Sequence, residues 1–268
     1  MSRIEHLAEG VTLYLGDCRE VDLPSGVECI VTSPPYNQME NIANSKPSGT
    51  WAKSHGGAGF AKAWKEHGYR DNLDELSYQI EQNALFAMLA TKCSETASLF
   101  YNHQLRWREG VCHHPIQWFQ PSMWRLRAEI IWDRAGGMMF NARMFCRFDE
   151  RIIWFVRGDQ YKWNQESVGD STIWRIAREQ NKEHPVAYPE AIPNRCIRAT
   201  THLGDLVLDP YMGSGTTGAA AVRLGRRFIG VEREPKYFEM ACRRISDVLA
   251  RPDLFIESPA KIKQEAFI

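Results

Sequence analysis

The sequence predicts an α/β fold with a mixed, mostly parallel sheet and helices on both faces, and three observations lead there. Short apolar runs near the C-terminus alternate with segments of helical spacing, which is the pattern of parallel strands joined by crossover helices. Between residues 206 and 224 a strand, a glycine-rich turn and a helix start follow one another without a break. The chain has 268 residues, 44% of them apolar, and nine tryptophans. That is ample for a buried core and excludes a disordered chain or a small disulfide-stapled scaffold.

Taken in order, Val11 to Leu15 alternates and stops at Gly16-Asp17, predicting a first strand. Val27 to Val31 predicts a second, which runs into Thr32-Ser33-Pro34-Pro35-Tyr36-Asn37. Two adjacent prolines cannot continue a sheet interior, so this motif sits at the strand's end. Residues 38–71 are rich in Asn, Ser, Gly, Lys and His, and a connection of that length reads as a long lid or binding loop. Leu73 to Lys92 has helical spacing at Leu76, Ile80, Leu85, Met88 and Leu89, and Ala97 to Tyr101 reads as a strand. Ile116 to Leu126 predicts a helix broken by Pro121, followed by strands at Ala128 to Trp132 and Arg151 to Val156. Helices at Ala191 to Thr200, Thr216 to Leu224 and Lys236 to Leu249 then alternate with strands at Leu206 to Leu208 and Phe228 to Val231. One domain over residues 1–268 is expected.

Lys plus Arg and Asp plus Glu each number 33. The molecule therefore has no overall positive field, and any basic surface must be local. The seven cysteines are scattered without a Cys-x-x-Cys pair and read as reduced thiols in a cytosol. Met1 to Gly10 has no basic start followed by an apolar stretch, and no apolar run approaches the roughly 20 residues that span a bilayer. A cytoplasmic protein without a membrane partner is expected. Cys112-His113-His114 with His103 and His67 fits no tetrahedral spacing, so no metal is expected.

Leu208-Asp209-Pro210-Tyr211-Met212-Gly213-Ser214-Gly215-Thr216-Thr217-Gly218 closes a strand and opens a helix. Its glycines match G-x-G-x-x-G, which permits a tight turn and close approach of a ligand to the backbone. Glu232 ends the next strand, where an acid accepts hydrogen bonds from ribose hydroxyls, so an adenosine-bearing cofactor is implied. No Lys-Ser or Lys-Thr follows the glycines, against a phosphate-cradling loop. Only about 50 residues follow Gly218, too few for the rest of a dinucleotide fold, so upstream strands must complete the sheet. Asp209 places negative charge in the turn, which suits a cationic cofactor better than a pyrophosphate. The bland alternative is a tight turn with an ordinary exposed Glu.

Ser33-Pro34-Pro35-Tyr36 joins a short acceptor side chain, a rigid turn and an aromatic face. This suits a planar substrate with an exocyclic amine: Ser33 Oγ and the Pro34 carbonyl accept its hydrogens while Tyr36 stacks on the ring. Such acceptance steers the nitrogen lone pair toward an electrophile. The bland alternative is a strand terminator with a packing Tyr.

Together these residues resemble the amino-group DNA methyltransferases that use S-adenosylmethionine. The Ser-Pro-Pro-Tyr element precedes the Asp-Pro-Tyr-Met-Gly-Ser-Gly-Thr element, as in that family's permuted, beta group. The resemblance covers most of the chain and implies a Rossmann-like methyltransferase fold. It makes Ser33, Pro34, Pro35 and Tyr36 catalytic. It places Asp17, Cys18, Ser33, Asp209, Pro210, Met212, Gly213, Ser214, Gly215, Thr216 and Glu232 at the cofactor, with Glu232 as ribose ligand. Because the helix after Glu232 would lead to the strand Val11 to Leu15, the two ends of the chain should lie close.

The resemblance further implies methyl transfer to an exocyclic nitrogen of DNA, with the base flipped into the strand-end pocket at a cost of a few kcal/mol. Adenine N6 is favoured over cytosine N4 because Asn37 follows Tyr36. Between Gln104 and Arg157 nine arginines face five acids, with tryptophans interleaved, and Lys46, Lys53, Lys62, Lys65 and Arg70 decorate the long loop. These can neutralise phosphates, although each alone is as readily a solvated residue over a core. Little chain remains for target recognition beyond 38–71 and 136–185, so a short or loose target sequence is expected. Methylation of RNA or of a protein amide, or a non-catalytic DNA-binding subunit, are the competing readings. A homodimer, a cognate restriction endonuclease and a prophage setting enter only through the resemblance.

Overall fold

The computed structural model describes residues 3–37, 73–108, 110–136, 145, 147–167, 169–178 and 188–251. The expected long loop at 38–71, and parts of the 136–185 segment, lie outside the described residues. The strands are β1 (Arg3–Ala8), β2 (Val11–Leu15), β3 (Val27–Thr32), β4 (Cys93–His103), β5 (Arg106–Arg108), β6 (Val111–His113), β7 (Arg125–Asp133), β8 (Asp149–Val156), β9 (Ile173–Arg175), β10 (Leu206–Asp209) and β11 (Arg227–Glu232). The helices are α1 (Glu75–Ala90), α2 (Pro115–Trp118), α3 (Ala191–Thr200), α4 (Thr216–Arg223) and α5 (Pro235–Ala250).

Nine strands form one sheet in the order β1-β2-β11-β10-β3-β4-β8-β7-β9. From β2 to β4 neighbouring strands are parallel, and β8 enters antiparallel between β4 and β7. The predicted mixed, mostly parallel sheet is therefore observed. The central strands are apolar on successive residues because both faces are covered. On one face, α3, α4 and α5 bury Ile192, Cys196, Ala220, Phe238, Ala241 and Ile245 against Val11, Leu13, Cys29 and Val207. On the other, α1 buries Leu85, Phe86 and Leu89 against Ile30, Leu99 and Leu208. Each buried Val, Leu, Ile or Phe among these contributes about 1.5–3 kcal/mol by leaving water. At the edge, α5 lies against β1 and β2, and Arg3 pairs with Glu239 on that helix.

Two expectations are corrected. The helix predicted over Ile116 to Leu126 is a single turn, Pro115–Trp118, closed by extended backbone at Phe119. Phe119 is wholly buried against Phe86, Tyr101 and Phe155, so aromatic packing and Pro121 stop the helix together. In α1, Leu76 and Ile80 face solvent, and the buried face runs instead through Tyr78, Gln82, Leu85, Phe86 and Leu89. The start of α1 is set by Asp74, whose carboxylate accepts from Ser77 N at 2.9 Å. Strands β1, β5, β6 and β9 were not expected: β1 is a largely exposed edge, and the other three are three residues each, too short for a periodicity.

Candidate active site

The ends of β3 and β10 lie side by side. These strands are parallel neighbours, with Cys29 opposite Val207 and Ile30 opposite Leu208, so both chains leave the sheet at the same edge. A carboxylate ties the two ends together. Asp209, 1% exposed, accepts from Thr32 Oγ1 at 2.7 Å and from Tyr211 N at 3.1 Å on one oxygen, and from Thr217 Oγ1 at 2.6 Å on the other. The Tyr188 hydroxyl donates to Thr217 Oγ1 in turn. Burial raises the Asp209 carboxyl to about 6, against the pull of the Thr217 and Thr32 hydroxyls and the Tyr211 amide. The charge placed in the turn by Asp209 thus meets protein donors first, and holds Ser33, one residue beyond Thr32, level with the glycine turn.

Within that turn the glycines divide their work. Gly213 and Gly215 have φ of 54° and 82°, a left-handed backbone that glycine adopts without a Cβ penalty. A Cβ at Gly215 would lie 2.9 Å from the Ala241 backbone, and one at Gly218 would lie 2.4 Å from Ile245 Cδ1 and 2.6 Å from Phe228. Two of the three glycines therefore let α4 pack closely on α5 and β11. Met212 and Pro210 are buried, with the Met212 sulfur seated over Gly230. Arg244 donates to Thr216 Oγ1 at 2.6 Å and to Ser214 Oγ at 3.4 Å, so these two hydroxyls are engaged by α5.

Two acids mark the neighbouring strand ends. Glu232, at the end of β11, accepts from Gly213 N at 2.8 Å and Glu234 N at 2.7 Å. Burial pushes its carboxyl up to about 7, with the Glu234, Gly213 and Arg233 amides opposing. Gly16 N donates to Glu232 O at 2.9 Å, bringing Asp17 to the adjacent strand end. Asp17 is held below the usual carboxylate range, chiefly by its hydrogen bonds from the Arg19 side chain. Cys18 is buried and its thiol is pushed up to about 12 by burial, so it is a packing residue beside this edge. A carboxylate pair on neighbouring strand ends, with spare lone pairs on Glu232, fits a ligand carrying adjacent hydroxyl and amino donors, as an adenosine group does.

The Ser-Pro-Pro-Tyr turn is held by residues from three other elements, β4, β8 and α1. Tyr36 OH donates to Glu150 Oε2 at 2.9 Å, and Asn102 Nδ2 donates to Tyr36 OH at 2.6 Å and to Glu150 Oε2 at 3.0 Å. Ser33 Oγ lies 2.8 Å from Tyr36 OH and 3.3 Å from Asn102 Nδ2. Glu150, 5% exposed, has on its other oxygen, Oε1, Arg134 Nη1 at 3.1 Å, Gln104 Nε2 at 3.5 Å and Arg178 Nη2 at 3.6 Å. Tyr78 OH donates to Pro35 O at 2.7 Å, and the Tyr36 ring sits 4.8 Å from the His103 ring. His103 is held well below its ordinary pKa by burial and by the Arg106 cation, so it is neutral. Pro34 is buried, and Asn37, with φ of 55°, donates to Leu73 O at 2.9 Å, closing the turn onto the start of α1.

A five-strand parallel core with paired acids and a glycine turn at one edge defines a Rossmann-like methyltransferase. Residues 27–243 match the DNA methylase family of N6/N4 amino methyltransferases, and the chain belongs to this S-adenosylmethionine-dependent family. It is 25% identical over 272 residues to the Type II methyltransferase M.HinfI of Haemophilus influenzae, covering 90% of this chain and 70% of that protein. The cytosine-N4-specific PvuII DNA methyltransferase shares the fold with a TM-score of 0.64 at 18% identity, over 90% of this chain and 91% of that one. The M1.HpyAVI complex with S-adenosylmethionine aligns with a TM-score of 0.59 at 23% identity, over 87% and 98% of the two chains.

Sequence reading missed Asn102, Glu150, Tyr78, Tyr188 and Thr217. Asn102 had a signal, since it lies near the end of the strand beside β3, where open α/β sheets place their ligands. Glu150 had none, because only the antiparallel entry of β8 brings the start of that strand to the same edge. Two of the histidines singled out in the sequence have structural roles: His114 accepts from Ile116 N as a helix cap, and His103 packs among Tyr36, Tyr78, Tyr101 and Trp118, while His67 lies outside the described residues. Among the described residues no helix is long and apolar enough to cross a membrane.

Proposed function

We propose that this methyltransferase, a member of the permuted group, transfers a methyl group to N6 of an adenine flipped out of DNA. The hydrogen bond from Thr32 to Asp209 carries the reading, because it sets the amine-binding turn beside the cofactor turn at adjacent strand ends. Glu232 and Asp17 would hold the ribose and adenine of S-adenosylmethionine, and Gly213 would carry the backbone past its amino-acid end. When bound, the cofactor supplies an electrophilic methyl on a sulfonium whose leaving thioether is neutral, so the protein need not protonate a leaving group. Ser33 Oγ and the Pro34 carbonyl accept the two amine hydrogens, directing the nitrogen lone pair along the transfer axis. Tyr36, backed by His103, stacks on the base.

Adenine is favoured over cytosine because Asn37 follows Tyr36; its side chain donates to Leu73 O. The Type II methyltransferase relatives support a DNA-modification role, and a cognate restriction endonuclease is part of the proposal. Duplex DNA treated with the protein and S-adenosylmethionine, digested to nucleosides and weighed by mass spectrometry, is expected to yield N6-methyladenine. N4-methylcytosine would move the target to the other base. Methyl uptake by RNA or protein in preference to DNA would overturn the reading.

A further inference from the structure

We infer that Glu150 is a positioning residue that makes Ser33 a pure hydrogen-bond acceptor, by fixing the direction of a hydroxyl chain that runs from Ser33 through Tyr36 to its carboxylate. The inference rests on the reading that Ser33 accepts the target amine. It follows from counting hydrogens. Around Glu150 stand the side-chain cation of Arg134 at 3.1 Å, that of Arg178 at 3.6 Å, the Asn102 amide at 3.0 Å and the Gln104 amide at 3.5 Å. All four present hydrogens to it, so its oxygens are acceptors here and the Tyr36 hydroxyl donates to it. A phenol has one hydrogen. Toward Ser33, 2.8 Å away, the Tyr36 oxygen can then only accept, and the single Ser33 hydroxyl hydrogen points at Tyr36.

Asn102 reinforces this direction. Its two amide hydrogens have nearer acceptors in Tyr36 at 2.6 Å and Glu150 at 3.0 Å than in Ser33 at 3.3 Å. The opposite amide orientation would set Oδ1 against the Glu150 carboxylate, two acceptors at hydrogen-bond distance. Ser33 Oγ is thereby left with lone pairs and no hydrogen for the pocket. This polarity matters because a serine hydroxyl, unlike an amide or carboxylate acceptor, can rotate. A Ser33 hydrogen turned toward the target would bond the amine lone pair, the electron pair that must attack. A carboxylate two hydroxyls away prevents that rotation, and hydrogen bonds in such a chain strengthen one another.

Glu150→Gln tests this, because its amide can donate to Tyr36 and release both hydroxyls to reverse. Methyl transfer to DNA is expected to fall roughly 10–100-fold in kcat, the range of a lost charge-assisted hydrogen bond, with KM for DNA and donor affinity little changed. Tyr36→Phe keeps the ring and cuts the chain, and is expected to match that loss. In the double variant the losses should not multiply. Should Glu150→Gln fail to fold, Tyr36→Phe alone carries the test. Activity within about twofold of the parent in Tyr36→Phe, a loss in Glu150→Gln confined to KM, or fully multiplying losses would overturn the inference. Full activity in Ser33→Ala would instead remove the reading beneath it.

Discussion

At the end of β10 most polar groups are answered from within the same stretch of chain. Gly213 N and Glu234 N reach Glu232, Tyr211 N and Thr217 reach Asp209, and glycines admit the neighbouring helix. At the end of β3, one strand over, the answers come from far away. Tyr36 and Ser33 are held by Asn102 and Glu150, and Pro35 by Tyr78. A ligand whose shape is shared by many enzymes can be met by one contiguous loop, whereas orienting a rotatable hydroxyl needs a network gathered from several strands. Thr32 to Asp209 is the joint between the two regions.

Removing the acceptor strikes hardest at the catalytic end alone. Ser33→Ala should lower kcat by roughly 100- to 1000-fold, in the range seen when one preorganised transition-state hydrogen bond is lost, and leave donor binding intact. Methyl incorporation and equilibrium dialysis measure the two separately. At the joint, Asp209→Ala strands the Thr32 and Thr217 hydroxyls and the Tyr211 amide in a buried site. A loss of about 3 kcal/mol by urea denaturation is expected, together with weaker donor binding.

The cofactor end responds to pH. Burial lifts the Glu232 carboxyl to about 7 in the folded chain, and on the function proposed above its ionised form accepts from the ribose hydroxyls. Donor affinity should therefore rise from pH 6 to pH 8, and Glu232→Gln should flatten that profile while weakening binding about tenfold. Fold stability runs the other way. The folded pKa lies above the unfolded 4.5, so this group's stabilising share is complete below that value and is lost as pH rises through about 7. Smallest is Tyr78→Phe, which leaves Pro35 O without that donor and should cost about 1 kcal/mol in thermal unfolding.

Both strand-end motifs were legible because their chemistry is written contiguously: a Pro-Pro pair must end a strand, and G-x-G-x-x-G after an apolar triplet must open a helix. Two details were not. Gly215 and Gly218 look like ligand-facing glycines but face Ala241, Phe228 and Ile245, a distinction that depends on where α5 lies. The apolar residues of α1 at Leu76 and Ile80 matched a helical stripe yet face outward, because the buried stripe is completed by Tyr78 and Gln82, whose polar ends bond Pro35 O and the Tyr211 hydroxyl.

By itself the sequence determined the alternation of strands and helices, the two turns and the acid at each cofactor strand end. These depend on backbone preference and on residues within one loop's reach. Only the tertiary structure decided that β8 enters antiparallel and delivers Glu150 to Tyr36, 114 positions along the chain, and that Asp209 joins two motifs 177 positions apart. Hydrogen bonds reach about 3 Å, and no local pattern records which distant groups a sheet's strand order will bring within that distance.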